Sequence, residues 1–135
     1  MAIPLVPAGL PLPGNLRGGH RWRFFQAGGL RQVRLRGGED LARLGELPQE
    51  LWTILGCPVQ GVHFDARTLA LLDADQDGRI RIPELLAGVK WACDRLRDAS
   101  ALLADAPRLQ LVAFAENPEG RALQDLARRI LADLG

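Results

Sequence analysis

Asp73, Asp75 and Asp77 stand at alternate positions, and a fourth carboxylate, Glu84, follows eleven residues after the first. Alternate carboxylates on a tightly curled segment converge on a common point. A hard divalent cation, which takes about six to eight oxygen ligands, is the partner such a point suits. Gly78, directly after the third aspartate, is the residue that makes a sharp turn at no steric cost. Arg79 and Arg81 bring two cations into the same stretch. They relieve repulsion among the carboxylates and also weaken the attraction for an ion.

The dodecamer 73–84, Asp-Ala-Asp-Gln-Asp-Gly-Arg-Ile-Arg-Ile-Pro-Glu, resembles the calcium loop of the EF-hand family. That family takes oxygen donors from loop positions 1, 3, 5 and 12 and a backbone carbonyl from position 7, with glycine at position 6. The resemblance implies a Ca2+ site made by Asp73, Asp75, Asp77, the carbonyl of Arg79, and Glu84 with both its oxygens. It also implies that Ile80, at position 8, lies in a short strand that pairs with a neighbouring loop. Arg81 departs from the pattern, since position 9 in the family is usually polar or acidic, so an affinity in the ordinary or weak range is expected.

Helical patterns flank the loop. Asp65 is placed as an N-cap, and Phe64, Thr68, Leu71 and Leu72 recur at helical spacing before it. After it, Pro83 sits at a first-turn position, and Leu85, Val89, Ala92, Cys93 and Leu96 form an apolar stripe. Trp91 lies off that stripe, either packed against the N-terminal hairpin or marking a second contact surface. The expected fold is mainly α with a small β component: an EF-hand over 64–97 paired with a degenerate second hand over 99–134. In that hand a strand at 109–112 would pair antiparallel with 79–82. Its connector lacks the inner acids and the glycine, so it would hold no calcium. The last helix would run over 118–134, with Leu123, Leu126, Ile130 and Leu134 on one face.

Upstream, residues 19–37 read as a β-hairpin, with segments at 20–26 and 30–36 separated by Ala27-Gly28-Gly29. Residues 39–56 read as helices carrying Leu41, Leu44 and Leu47, then Leu51, Trp52, Ile54 and Leu55, ended by Gly56-Cys57-Pro58. Residues 1–18, which hold four prolines before Gly14, read as a flexible arm ahead of one domain at 19–135.

An apolar content of 47% over 135 residues is enough for one core. No apolar run approaches the ~20 residues that span a bilayer, and the start lacks the basic segment of a signal peptide. A soluble, cytoplasmic protein is expected. Cys57 and Cys93 have no metal-binding spacing and read as reduced packing residues. Residues 1–38 carry six arginines and no acid, so the net charge of +1 divides into +6 there and −5 beyond. That basic strip, interleaved with Trp22, Phe24 and Phe25, equally fits the wet face of a hairpin. With no nucleic-acid motif beside it, nucleic acid is not an expected partner. His20 and His63 are isolated, and there is no GxSxG, HExxH or Walker-type loop, so no enzyme is expected.

The segments around Trp22-Arg-Phe-Phe, Glu50-Leu-Trp and Pro118-Glu-Gly-Arg resemble the front part of an uncharacterised bacterial family containing an EF-hand. This implies no known activity, and it suggests that the chain is part of a longer protein. The expected function is calcium binding by a regulatory or structural interaction module, with a protein partner that the sequence does not name. The alternative is a scaffold that binds no metal, or the N-terminal regulatory part of a larger bacterial enzyme.

Overall fold

The computed structural model describes residues 2–7, 19–27, 29–47, 52, 56–61, 63–104 and 106–134. It is mainly helical with a small β component. The elements in chain order are β1 (Ala2–Pro7), β2 (Phe24–Ala27), β3 (Leu30–Arg34), α1 (Gly38–Ala42), β4 (Gly56–Pro58), α2 (Ala66–Leu72), β5 (Arg79–Arg81), α3 (Ile82–Arg95) and α4 (Pro118–Asp133).

The expected hairpin is present, with Phe24 opposite Val33 and Ala27 opposite Leu30. Alternation divides its residues between two faces. Trp22, Val33 and Leu35 are buried, while Arg21, Arg23, Arg34 and Arg36 are exposed. The segment expected to be a flexible arm is instead structured over residues 2–7: β1 adds antiparallel to β3, giving the order β1-β3-β2. Its prolines are compatible with this place because an edge strand does not need every N–H for a ladder. The register slips between Pro4 and Val6.

The core joins the hairpin to the helices. Trp22, Val33 and Leu35 pack with Leu41, Leu44, Leu47, Trp52 and Ile82, and Leu85, Leu86, Val89 and Cys93 of α3 lie against them. Cys93 is a free thiol whose pKa is raised by burial, as a packing role requires. The helices expected over 39–56 are shorter in the described residues. After α1 the chain makes a single 3-10 turn at Leu44–Glu46. Residues 48–51 and 53–55, which carry Leu51, Ile54 and Leu55, lie outside the described residues. Gly38 permits a close approach here: its N–H donates to Ser100 Oγ at 2.8 Å. A Cβ at that position would lie 2.7 Å from the Ser100 backbone nitrogen.

The degenerate second hand is corrected in its central feature. Residues 109–112 do not pair with β5; Leu111–Ala113 forms a 3-10 turn instead. That turn occupies carbonyls a strand would offer, the Gln110 carbonyl accepting from the Ala113 N–H at 2.9 Å. The segment docks on the end of α3, through an isolated Leu96–Phe114 bridge and a 2.6 Å Arg97–Glu116 ion pair. The short 3-10 helix before it, Ala99–Leu102, is capped by Asp98, which accepts from Ser100 N–H at 2.8 Å. The last helix forms as expected, capped by Asn117.

Candidate metal centre

The entering helix, α2, begins at the expected cap. Asp65 accepts from the Thr68 N–H at 2.8 Å and from its hydroxyl at 2.7 Å. These bonds, the hydroxyl's first, hold the Asp65 carboxyl below its ordinary range. The chain leaves α2 at Asp73 and curls at once. Gln76 (φ 59°) and Gly78 (φ 81°) both adopt the left-handed region, which glycine enters without strain and glutamine does not. Nothing lies within 4 Å of where a Cβ on Gly78 would stand, so the backbone angle, not space, demands glycine there.

Curling turns the loop's amides inward, toward its carboxylates. Asp73 is 8% exposed, the one charged side chain among the described residues that is buried. Its two oxygens accept from Asp77 N–H at 3.1 Å and Gly78 N–H at 3.0 Å. Asp75 accepts from Asp77 N–H at 3.2 Å, and Asp77 from Arg79 N–H at 2.9 Å. Glu84, in the first turn of α3, spans the loop's two ends: Oε1 takes the Ala74 N–H and Oε2 the Arg81 N–H, both at 2.8 Å. The Arg81 amide and then the Ala74 amide hold the Glu84 carboxyl below its ordinary range. A carboxylate oxygen has a second lone pair, so these bonds orient each carboxylate without exhausting it.

Asp73, Asp75 and Glu84 each offer an oxygen, and the three lie within 4.8 Å of one another. Oxygens bound about 2.4 Å from a shared calcium ion are at most about 4.8 Å apart, so the spacing fits that ion. Asp77 stands outside this triad. Its Oδ2 is in contact with the Arg81 guanidinium, which also reaches Asp75 Oδ2 at 3.5 Å. The Arg81 charge is reinforced first by its hydrogen bond with Asp77. Arg79 enters β5 at loop position 7, as the loop pattern implies. The structure therefore gathers three of the four carboxylates expected from the sequence and gives the fourth an internal cation.

Ile80 is buried and opposite Cys57: β5 pairs antiparallel with β4, from Gly56–Arg81 to Pro58–Arg79. The partner strand thus comes from the segment just ahead of α2, a role hidden in the sequence because Gly-Cys-Pro reads as a helix terminator. Val59 N–H extends the contact to the Gly78 carbonyl at 3.1 Å. On the other side of the loop, Leu72 is packed closely against Gly88 of α3, where a Cβ would lie 2.4 Å from its Cδ2. The Trp91 position is settled too. It is 52% exposed, with the Arg95 guanidinium 4.3 Å above its ring, and is not one of the α3 side chains packed against the core.

Sequence reasoning missed one further cluster. His20, read as isolated, has Nε2 2.6 Å from Asp40 Oδ1 and its ring edge-on to Trp22. Asp40 Oδ2 takes the Arg36 N–H, also at 2.6 Å. Burial raises the Asp40 pKa, and bonds from the Arg36 amide, His20 and the Gly37 amide outweigh it, leaving the carboxyl below its ordinary range. No sequence motif announces this pair, since its members are twenty residues apart. His63 is exposed. No helix among the described residues is long and apolar enough to cross a membrane. No family model, curated protein or solved structure matches the chain.

Proposed function

We propose that the chain is a calcium-binding module of the EF-hand type. The observation that carries this is the triad of Asp73, Asp75 and Glu84, with oxygens within 4.8 Å, held on a loop whose own amides orient each carboxylate. The Arg79 carbonyl and Asp77, once Arg81 yields it, complete the protein's ligands, and water supplies the rest. β4 stands in for the strand of a partner loop, giving β5 its ladder without a second hand.

The packing favours a clamp over an opening switch. α3 is fixed by Leu85, Leu86, Val89 and Cys93 against the core. α2 is seven residues long and buries Leu69, while Leu71 is 84% exposed. An ion bound jointly by Asp73, at the end of α2, and Glu84, at the start of α3, joins the weakly held element to the firmly held one. Binding a native state stabilises it by mass action. Calcium is thus expected to raise the thermal midpoint while exposing little new apolar surface.

The test is a calorimetric calcium titration in excess magnesium, on the full chain and on Asp73→Ala and Glu84→Gln. One-site binding with a Kd of roughly 10 to 1,000 μM is expected, weaker than the tight cytosolic buffers. Both variants should lose it. Absence of calcium heat in the unaltered chain, with folding intact by circular dichroism, would overturn the proposal.

A further inference from the structure

The exposed face of the hairpin carries a second concentration of charge, opposite in sign to the loop. Arg21, Arg23, Arg34 and Arg36 line one open groove of about 360 Å³, together with Gly37, Glu39 and Asp40. The pairing brings them together. Beyond the last ladder pair, Phe24 with Val33, the Arg34 N–H donates to the Arg23 carbonyl at 2.8 Å, so two arginines stand directly across from each other. Like charges in that relation are destabilising.

The two carboxylates in the lining offset two of the four charges, but neither pairs with any of these four guanidiniums. Asp40 is occupied by His20 and the Arg36 amide, and Glu39 pairs with Arg43 at 3.3 Å. Arg34 lies over the Phe25 ring, 4.8 Å from its centre. None of the four guanidiniums forms an ion pair with a carboxylate among the described residues. A groove that holds four cations against two carboxylates, neither of them paired to those guanidiniums, keeps a net positive charge that suits an external anion, and guanidinium is the side chain best suited to grip phosphate through paired N–H donors.

We propose that this groove binds a small molecule carrying two or three linked phosphates. The volume falls at the lower end of small-molecule sites, which run from about 300 to 1,000 Å³. A nucleic-acid strand is the poorer fit, because it calls for aromatic faces on which bases stack. Trp22 is buried, Phe24 packs against the core, and Phe25 lies beneath Arg34.

The experiment is a calorimetric titration of inorganic pyrophosphate into the full chain, in buffer free of divalent cations, alongside Arg23→Gln/Arg34→Gln and Arg21→Gln/Arg36→Gln. The unaltered chain is expected to bind one pyrophosphate with a Kd below about 1 mM, and each double variant to bind roughly tenfold or more weakly. Without ligand, the Arg23→Gln/Arg34→Gln variant should melt no lower than the unaltered chain, because it loses a repulsion. If that variant does not fold, the Arg21→Gln/Arg36→Gln pair decides. No saturable heat up to about 10 mM pyrophosphate, or unchanged affinity in a folded variant, overturns the proposal. So does tighter binding of a single-stranded oligonucleotide, with a salt dependence that requires more than about four phosphate contacts.

Discussion

The acidic loop and the arginine groove each crowd like charges together, and they do so at different ranges along the chain. The loop confines its carboxylates to twelve residues and balances them internally: backbone amides and Arg81 stand where they are needed. The groove takes its cations from Arg34 of β3 and from Arg21, Arg23 and Arg36 just beyond the paired strands, and its two carboxylates balance them only in part. A like-charge cluster made within one turn can be supported by the backbone that curls around it. One made by strand pairing exists only while the pairing does.

Leu35→Ala should separate the two most strongly. Leu35 is buried under the hairpin, flanked by Arg34 and Arg36. Its truncation should lower stability by about 2 to 5 kcal/mol, measured by denaturant unfolding. In the folded fraction, pyrophosphate binding should weaken more than calcium binding. Equal losses at both sites would mean that the loop depends on the hairpin as much as the groove does.

Arg81→Gln sharpens the contrast from the other side. It removes the cation held against Asp75 and Asp77. The pair is exposed and screened, so the effect is small, and calcium affinity should rise by up to about fivefold by calorimetry. A fall in affinity would show that Arg81 organises the loop instead of competing for it.

The smallest effect is expected from Asp40→Asn, read as thermal midpoint against pH. The folded-state pKa of Asp40 is lowered, so its contribution to stability is fully present above the ordinary aspartate value of about 3.9. That contribution is lost as pH falls through the folded value. The variant should therefore melt below the unaltered chain at neutral pH, and the difference should close below about pH 4. A constant difference across pH would place the effect in packing, not in the charge.

The gathering of Asp73, Asp75 and Glu84 was legible because each of its causes is local: alternation brings carboxylates together, glycine admits the positive φ, and Asp65 caps the helix that leads in. The hairpin and the last helix were legible for the same reason, through period-two and period-3.6 patterning. Tertiary structure decided which strand meets Ile80. Residues 109–112 read as a strand and Gly-Cys-Pro as a helix end, yet β4 is the strand that pairs, and residues 109–112 give the Gln110 and Leu111 carbonyls to a 3-10 turn instead. Tertiary structure also decided the place of residues 2–7, where prolines that argue against a central strand are accommodated on an edge. It placed Trp91 beneath Arg95 and His20 against Asp40. The sequence by itself determined the chemistry of each short segment; which segments met was settled by competition among backbone hydrogen bonds and apolar faces, whose partners lie too far along the chain for spacing to reveal.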